Sequence, residues 1–151
     1  MTMRILSAVP ILALATICST IATPAVAKEV VVHMRNQGAA GVMVFEPAFV
    51  KAMPGDTVRF LPTDPGHNAE TIPTMLPAGV ASSKGAVNTA FVLKVSSPGL
   101  YGIKCQPHYA MGMIALVQVG DGPSPNLTAA KAAKLPPFAA KRMTPLLAQA
   151  R

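Results

Sequence analysis

The segment KCQPHYAMGM, Lys104 to Met113, gathers a thiol, an imidazole and two thioethers into one short stretch of a chain that has only 3 histidines and 2 cysteines. Two residues separate Cys105 from His108, and four separate His108 from Met113. The flanking runs LYGIKC (100–105) and MIALVQVG (113–120) read as strands. A loop joining them brings Cys105 and Met113 close and carries His108 between them. Taken singly, each residue has an ordinary explanation. A lone cysteine is usually a small core residue, a loop histidine is polar surface, and a methionine before an apolar strand is core. Together at a strand–loop–strand junction, the spacing C-x2-H-x4-M aims three side chains at one point.

A fourth donor is needed to complete a metal site, and two imidazoles remain. His33 alternates with Val32 and Met34 on an early strand, EVVVHMR (29–35), and is expected to face outward. His67 lies in TDPGHNAET (63–71), where Gly66 lets the backbone turn sharply before it. His67 therefore joins Cys105, His108 and Met113. One thiolate, two imidazoles and a thioether are soft to borderline donors. Zinc sites prefer Cys and His without a thioether, and calcium and magnesium require oxygen. Copper accepts all four. Two histidines and a thiolate with a long axial methionine form the type 1 arrangement, which suits one-electron transfer.

The elements that must position these residues are mostly strands. GVMVF (41–45) and PAFVKAM (47–53) flank a bend at Glu46-Pro47, and Pro54-Gly55-Asp56 is a turn. In DTVRFLP (56–62), Val58, Phe60 and Pro62 alternate with Thr57, Arg59 and Leu61. In TAFVLKV (89–95), Phe91, Leu93 and Val95 alternate with Val92 and Lys94. Short strands separated by turn signals predict an all-β sandwich over 28–120. Residues 68–88, with Pro73, Pro77, Gly79 and Gly85, read as a long irregular connection containing one helical turn. After Gly120 the composition shifts. SPNLTAAKAAKL (124–135) reads as a helix with Ser124 as cap and Pro125 in its first turn. FAAKRMTPLLAQAR (138–151) is a second helix with Ala139, Met143, Leu146, Leu147 and Ala150 on one face. Pro145 predicts either a kink there or a restart capped by Thr144. Asn126-Leu127-Thr128 fits the glycosylation pattern, which is common by chance.

Residues 1–27 read as a secretory signal. Arg4 precedes an apolar run, and Ala25 and Ala27 form an A-x-A site, predicting a cut after Ala27 and a periplasmic protein with no membrane span once processed. An uncleaved anchor is the alternative, since Ile5 to Ala27 nearly spans a bilayer. A lipid anchor at Cys18 fits less well, because Ala15-Thr16-Ile17 is not a run of small residues. Processing removes Arg4 and Cys18. It leaves 28–151 as one domain with a formal charge one unit below the +7 of the full chain, and Cys105 as a lone thiol. An unpaired thiol in an oxidising compartment calls for a purpose such as metal ligation or catalysis.

GHN (66–68) together with C-x2-H-x4-M resembles the cupredoxin family. The Cys-to-His spacing is shorter than in azurins, and the His-to-Met spacing is longer than in amicyanins. Plastocyanins share the loop spacing but lack the two helices. EVVVHMRNQGAAGVMVFEPAFVKAMPGDTVRFLPTDPGHNAET, GLYGIKCQPHYAMGMIALVQVG and the helical tail together resemble the pseudoazurins across essentially all of 28–151. The resemblance implies a Greek-key β-sandwich of eight strands followed by two α-helices. It implies a periplasmic carrier of one electron, holding copper on His67, Cys105, His108 and Met113 and donating to copper nitrite reductase in denitrification. It implies that the Asn68 backbone amide bonds the Cys105 sulfur, that Met43 lies near the copper histidines, and that Met113 rather than Met111 is axial. Pro65 stands where relatives often have lysine.

The expected partners are copper nitrite reductase and c-type cytochromes, met transiently by a monomer. The exposed edge of His108 would be the electron port. Lys84, Lys104, Lys51 and Lys94 are candidates for a basic rim around it. Family position favours the first two, and Lys94 reads more simply as a solvated lysine. Export and the lack of a basic stripe interleaved with aromatics exclude nucleic acid. Two other readings stand beside the carrier. An enzyme would use Cys105 as nucleophile and His67 or His108 as base, but no oxyanion site is evident. A copper-storage or delivery protein would show clustered exposed methionines, whereas Met34, Met53, Met75 and Met143 scatter among core-like positions.

Overall fold

A computed structural model of the chain describes residues 26–151. The signal read from residues 1–27 therefore falls almost wholly outside the described residues. Eight strands follow in order: β1 (Glu29–Gly38), β2 (Gly41–Glu46), β3 (Phe49–Ala52), β4 (Thr57–Pro62), β5 (Glu70–Thr71), β6 (Phe91–Lys94), β7 (Gly99–Lys104) and β8 (Ile114–Val119). Two helices close the chain, α1 (Leu127–Ala132) and α2 (Pro137–Gln149). One sheet has the order β2-β1-β4-β6 and the other β3-β8-β7-β5. β1 pairs parallel with β4, and β3 parallel with β8, so the chain crosses repeatedly between sheets. The expected sandwich with two C-terminal helices is the observed architecture.

Alternation along the strands builds the interior. Val58 and Phe60 on β4 and Phe91 and Leu93 on β6 are buried, while Arg59 and Val92 face solvent. Phe45, Phe60 and Phe91 stack in sequence across the sheet, with centroids 5.5 and 6.1 Å apart. They pack against Tyr101, Ile103, Val117 and Cys105 from the other sheet. A second cluster lies outside that sheet, where Leu100, Ile114 and Leu116 meet Ala130, Ala139, Met143 and Leu146 of the helices. The helices thus cover the back of β7 and β8, whose residues are buried on both faces apart from half-buried Lys104.

Gly102 sits at the tightest point of that packing. A Cβ there would lie 2.7 Å from Met75 Cβ, and Met75 is itself fully buried on a single 3-10 turn, Pro73–Met75. That turn is the helical turn expected in the 68–88 connection. Gly102→Ala is expected to destabilise the fold by about 1–3 kcal/mol through overpacking, measured as a lower denaturation midpoint at unchanged slope.

Two details of the tail differ from expectation. Ser124 does not cap α1. Its hydroxyl is buried without a partner, and the helix begins after Asn126. The Asn126 side chain instead reaches the edge of β7, accepting from Leu100 N and donating to Leu100 O, both at 2.8 Å. Satisfying a strand's buried backbone outweighs the local preference for a serine cap. Pro145 does not restart the helix either. α2 runs continuously through it, and the Thr144 hydroxyl bonds back to Ala140 O at 2.9 Å rather than capping forward. A surrounding interface of Ala139, Met143 and Leu146 compensates for the one missing hydrogen bond.

Candidate metal centre

β7 ends at Lys104 and β8 begins at Ile114, so Cys105 and Met113 flank the loop at one end of the second sheet. The loop folds on itself. Cys105 N donates to Met113 O, and both His108 N to Cys105 O and Met113 N to His108 O close turns within it. A 3-10 turn over Tyr109–Met111 ends at Gly112 with φ 88°. This pairing points the Cys105 and Met113 side chains inward, both at 0 % exposure, while Met111 is 46 % exposed. The two methionines of the motif are thereby separated.

His67 arrives from the other sheet. β4 ends at Pro62, and Gly66 takes φ 93°, the left-handed turn expected from the sequence. Asn88 locks that turn: its side-chain oxygen accepts from Gly66 N, and its own N–H donates to His67 O. His67 is fully buried. Its Nδ1 lies 3.1 Å from His108 Nδ1 and 3.8 Å from Cys105 Sγ, and His108 Nδ1 lies 3.5 Å from Cys105 Sγ. The centre of that triangle is about 2.0 Å from each corner, close to the bond lengths of a first-row metal to nitrogen (about 2.0 Å) and sulfur (about 2.3 Å). The donor triad therefore fits a metal ion.

The protonation states fit as well. His67 Nε2 lies 2.9 Å from Asn36 Oδ1, an acceptor that cannot donate, so Nε2 carries the hydrogen and Nδ1 presents its lone pair to the triad. Burial and the neighbouring His108 push His67 below the usual imidazole range and keep it neutral. Burial pushes the Cys105 thiol up, against backbone N–H groups of Asn68 and His108 that pull it down. The Asn68 N–H thus acts on the sulfur in the direction expected from the resemblance. A sulfur at 0 % exposure is out of reach of a substrate, which argues against the enzyme reading. His33 stays out of the site and meets Thr63 Oγ1 at 2.8 Å on the sheet's outer side.

Asn36, Asn88 and the Asn68 side chain were not singled out by sequence as supports. Asn68 is buried, accepting from Gln106 N at 2.8 Å and donating to Gly85 O and Glu70 Oε2. No spacing rule marks these residues, since each acts across 17 or more positions or through a side-chain amide. Met43 is half-buried against the core cluster that includes Cys105 and Met113, and takes φ 50°.

The lysines divide into two groups. Lys84 and Lys104 both reach Glu70, at 3.5 and 3.0 Å, beside the Cys105–Met113 loop. The Lys104 side chain is only 18 % exposed and lies over the Tyr109 ring at 4.9 Å, whereas that of Lys84 is 68 % exposed. Lys51 and Lys94 are elsewhere. Lys51 pairs with Gln118 and Lys94 with Thr57, at the strand ends opposite the site. Gln118 is five residues beyond Met113, roughly 16 Å along the strand. These two lysines are therefore excluded from any rim around His108. The strand directions decide this, and composition cannot.

Burial pushes the Glu70 carboxyl up, but Lys104, Lys84 and Asn68 outweigh it and hold it below its ordinary value of 4.5. A depressed folded value stabilises the fold above the unfolded value, and that contribution is lost as pH falls through the folded one. Glu70→Gln is expected to cost about 1–2 kcal/mol at neutral pH. It should also flatten the stability curve of the metal-free protein below roughly pH 4.5, as followed by urea denaturation at stepped pH.

Residues 32–120 match the family of copper-binding proteins of the plastocyanin/azurin type. The chain is 55% identical over 129 residues to the pseudoazurin of Paracoccus pantotrophus, covering 85% of this chain and 88% of that one. It is 50% identical over 141 residues to the pseudoazurin of Methylorubrum extorquens AM1, covering 92% and 95%. The crystal structure of pseudoazurin from Methylobacterium extorquens AM1 superposes with a TM-score of 0.77 at 51% identity, covering 80% of this chain and 98% of that one. The pseudoazurin from Hyphomicrobium denitrificans gives 0.76 at 46% identity, covering 82% and 98%. With the donor triad in place and these matches spanning the whole sandwich and its helices, the chain belongs to the pseudoazurins, copper-binding electron carriers of the cupredoxin family.

Proposed function

We propose that this chain is a periplasmic one-electron carrier, not an enzyme, that holds copper on His67, Cys105, His108 and Met113 and donates electrons to copper nitrite reductase. The observation that carries the reading is the convergence of His67 Nδ1, His108 Nδ1 and Cys105 Sγ, with His108 only half-buried among them. Bound copper supplies a Cu(II)/Cu(I) couple. The residues supply the rest. The triad is drawn together by protein hydrogen bonds, so the ligand positions need little rearrangement between oxidation states. Met113, buried in the same cluster as Cys105, would supply a thioether sulfur to the ion. His108 offers its edge to a docked partner, ringed by Pro107, Ala110 and Met111, which are small or apolar and exposed.

Lys84 supplies the exposed part of the docking rim, and Lys104, held by Glu70 and Tyr109, a half-buried part. A carrier must also release, which favours a small interface of less than roughly 1,200 Å². Met34, Met75 and Met143 are core residues and only Met53 of the four is exposed, against the core-like position read for it, so these four do not form the exposed thioether cluster that copper delivery would use. A cut after Ala27 fits as well. It would place the new α-ammonium at Lys28, whose nitrogen lies 2.8 Å from Asp56 Oδ1.

Stopped-flow oxidation of the reduced protein by copper nitrite reductase tests the reading. The rate is expected to fall as ionic strength rises and charge at distances beyond about 8 Å is screened. Lys84→Glu should slow the low-salt rate by about tenfold, with little effect at high salt. A reductase that fails to oxidise the protein at any salt concentration sinks this partner, and the same assay with a c-type cytochrome then tests the alternative.

A further inference from the structure

We propose that Arg142 is a positioning residue for the copper loop, fixing from helix α2 the backbone that carries Met113. The inference rests on the reading of Met113 as axial ligand. Arg142 Nη1 donates to Met43 O at 2.8 Å and to Gly112 O at 3.1 Å, and Nη2 donates to Val42 O at 2.9 Å. One guanidinium therefore ties three segments together: α2, strand β2 and the end of the loop, 30 to 100 positions apart in the chain.

Both anchored regions are conformationally unusual. Met43 has φ 50°, a left-handed value that a side chain rarely adopts and that persists only where surroundings hold it. Gly112 has φ 88° and directly precedes Met113. The helix also closes sterically on Gly112, where a Cβ would lie 3.0 Å from Phe138 O and 3.1 Å from Arg142 Cδ. Among the described residues, no carboxylate lies within ion-pair reach of Arg142, and its fork serves carbonyls. A planar fork can span three carbonyls at fixed angles, whereas a lysine ammonium acts from one point. An axial thioether bond is long and weak, so the protein, not the ion, sets its length. Holding Gly112 O holds the residue that carries that sulfur.

Three copper-loaded variants test this beside the parent: Arg142→Met, Arg142→Lys and Leu146→Ala. Leu146→Ala loosens the same helix through buried apolar contacts and removes no hydrogen bond to the three carbonyls. Arg142→Met is expected to change the ratio of the visible absorption bands and to release copper to a chelator about 10–100-fold faster, well below its unfolding temperature. Arg142→Lys should shift both in the same direction, because it keeps the charge and loses the fork. It carries the test should Arg142→Met fail to fold. Leu146→Ala should unfold more readily yet keep the parent spectrum and release rate. Parent-like spectra and release in Arg142→Lys overturn the proposal, as do equal changes in Leu146→Ala. A colourless parent would instead sink the copper reading itself.

Discussion

Cys105→Ala is expected to stay folded and to lose the intense visible band completely when copper(II) is added. The sulfur is the only thiolate donor among the described residues and lies 3.5 and 3.8 Å from the two imidazole nitrogens. Charge transfer from thiolate to copper needs that orbital, and alanine has none to offer. The fold should survive, because the change removes one buried atom beside Met113 and Phe45 in a large cluster, at a cost of about 1 kcal/mol. Circular dichroism of the variant checks folding, and absorbance during copper titration checks the band. Copper still bound by His67 and His108 would be colourless or weakly absorbing and about 10–100-fold easier to remove, if not more. A variant that retained the parent's colour would show that the sulfur is not a ligand.

Asn68→Ala should produce the largest loss of stability among the supports of the site, about 1–3 kcal/mol, because it orphans two part-buried backbone groups. The side chain is 1 % exposed and joins Gln106 N, Gly85 O and Glu70. Its removal leaves the Gln106 N–H and the Gly85 carbonyl without their partner in a space alanine does not fill. The functional effect follows from the same bonds. Asn68 holds its own loop against the residue after Cys105, and its backbone N–H pulls the Cys105 thiol down. Loosening that contact leaves more electron density on the thiolate and favours Cu(II). The reduction potential should therefore fall, as read by voltammetry beside denaturation of the metal-free variant. An unchanged potential with lowered stability would show that the amide contact to sulfur is independent of the side chain.

The sequence by itself determined the parts whose information is local. Strand parity followed from alternation, as in Val58 and Phe60 against Arg59, because a half-buried sheet requires a period of two. Gly66 and its sharp turn followed from the steric freedom of glycine. Cys105, His108 and Met113 were legible as a set because a short loop between paired strands brings its ends together whatever the rest of the chain does. Tertiary structure decided the remainder. Asn36 fixes the His67 tautomer from a strand 31 positions away, and Arg142 grips backbone up to 100 positions away. Two-residue β5 carries too little pattern to show a period. Charge alone makes Lys51 and Lys94 candidates for the rim, and the strand directions put them at the far end. Ser124 reads locally as a helix cap, but the helix begins after Asn126, whose amide is held by the edge of β7. Each of these rests on a hydrogen bond or a strand direction between segments distant in the chain, and such contacts leave no periodic trace in the sequence that makes them.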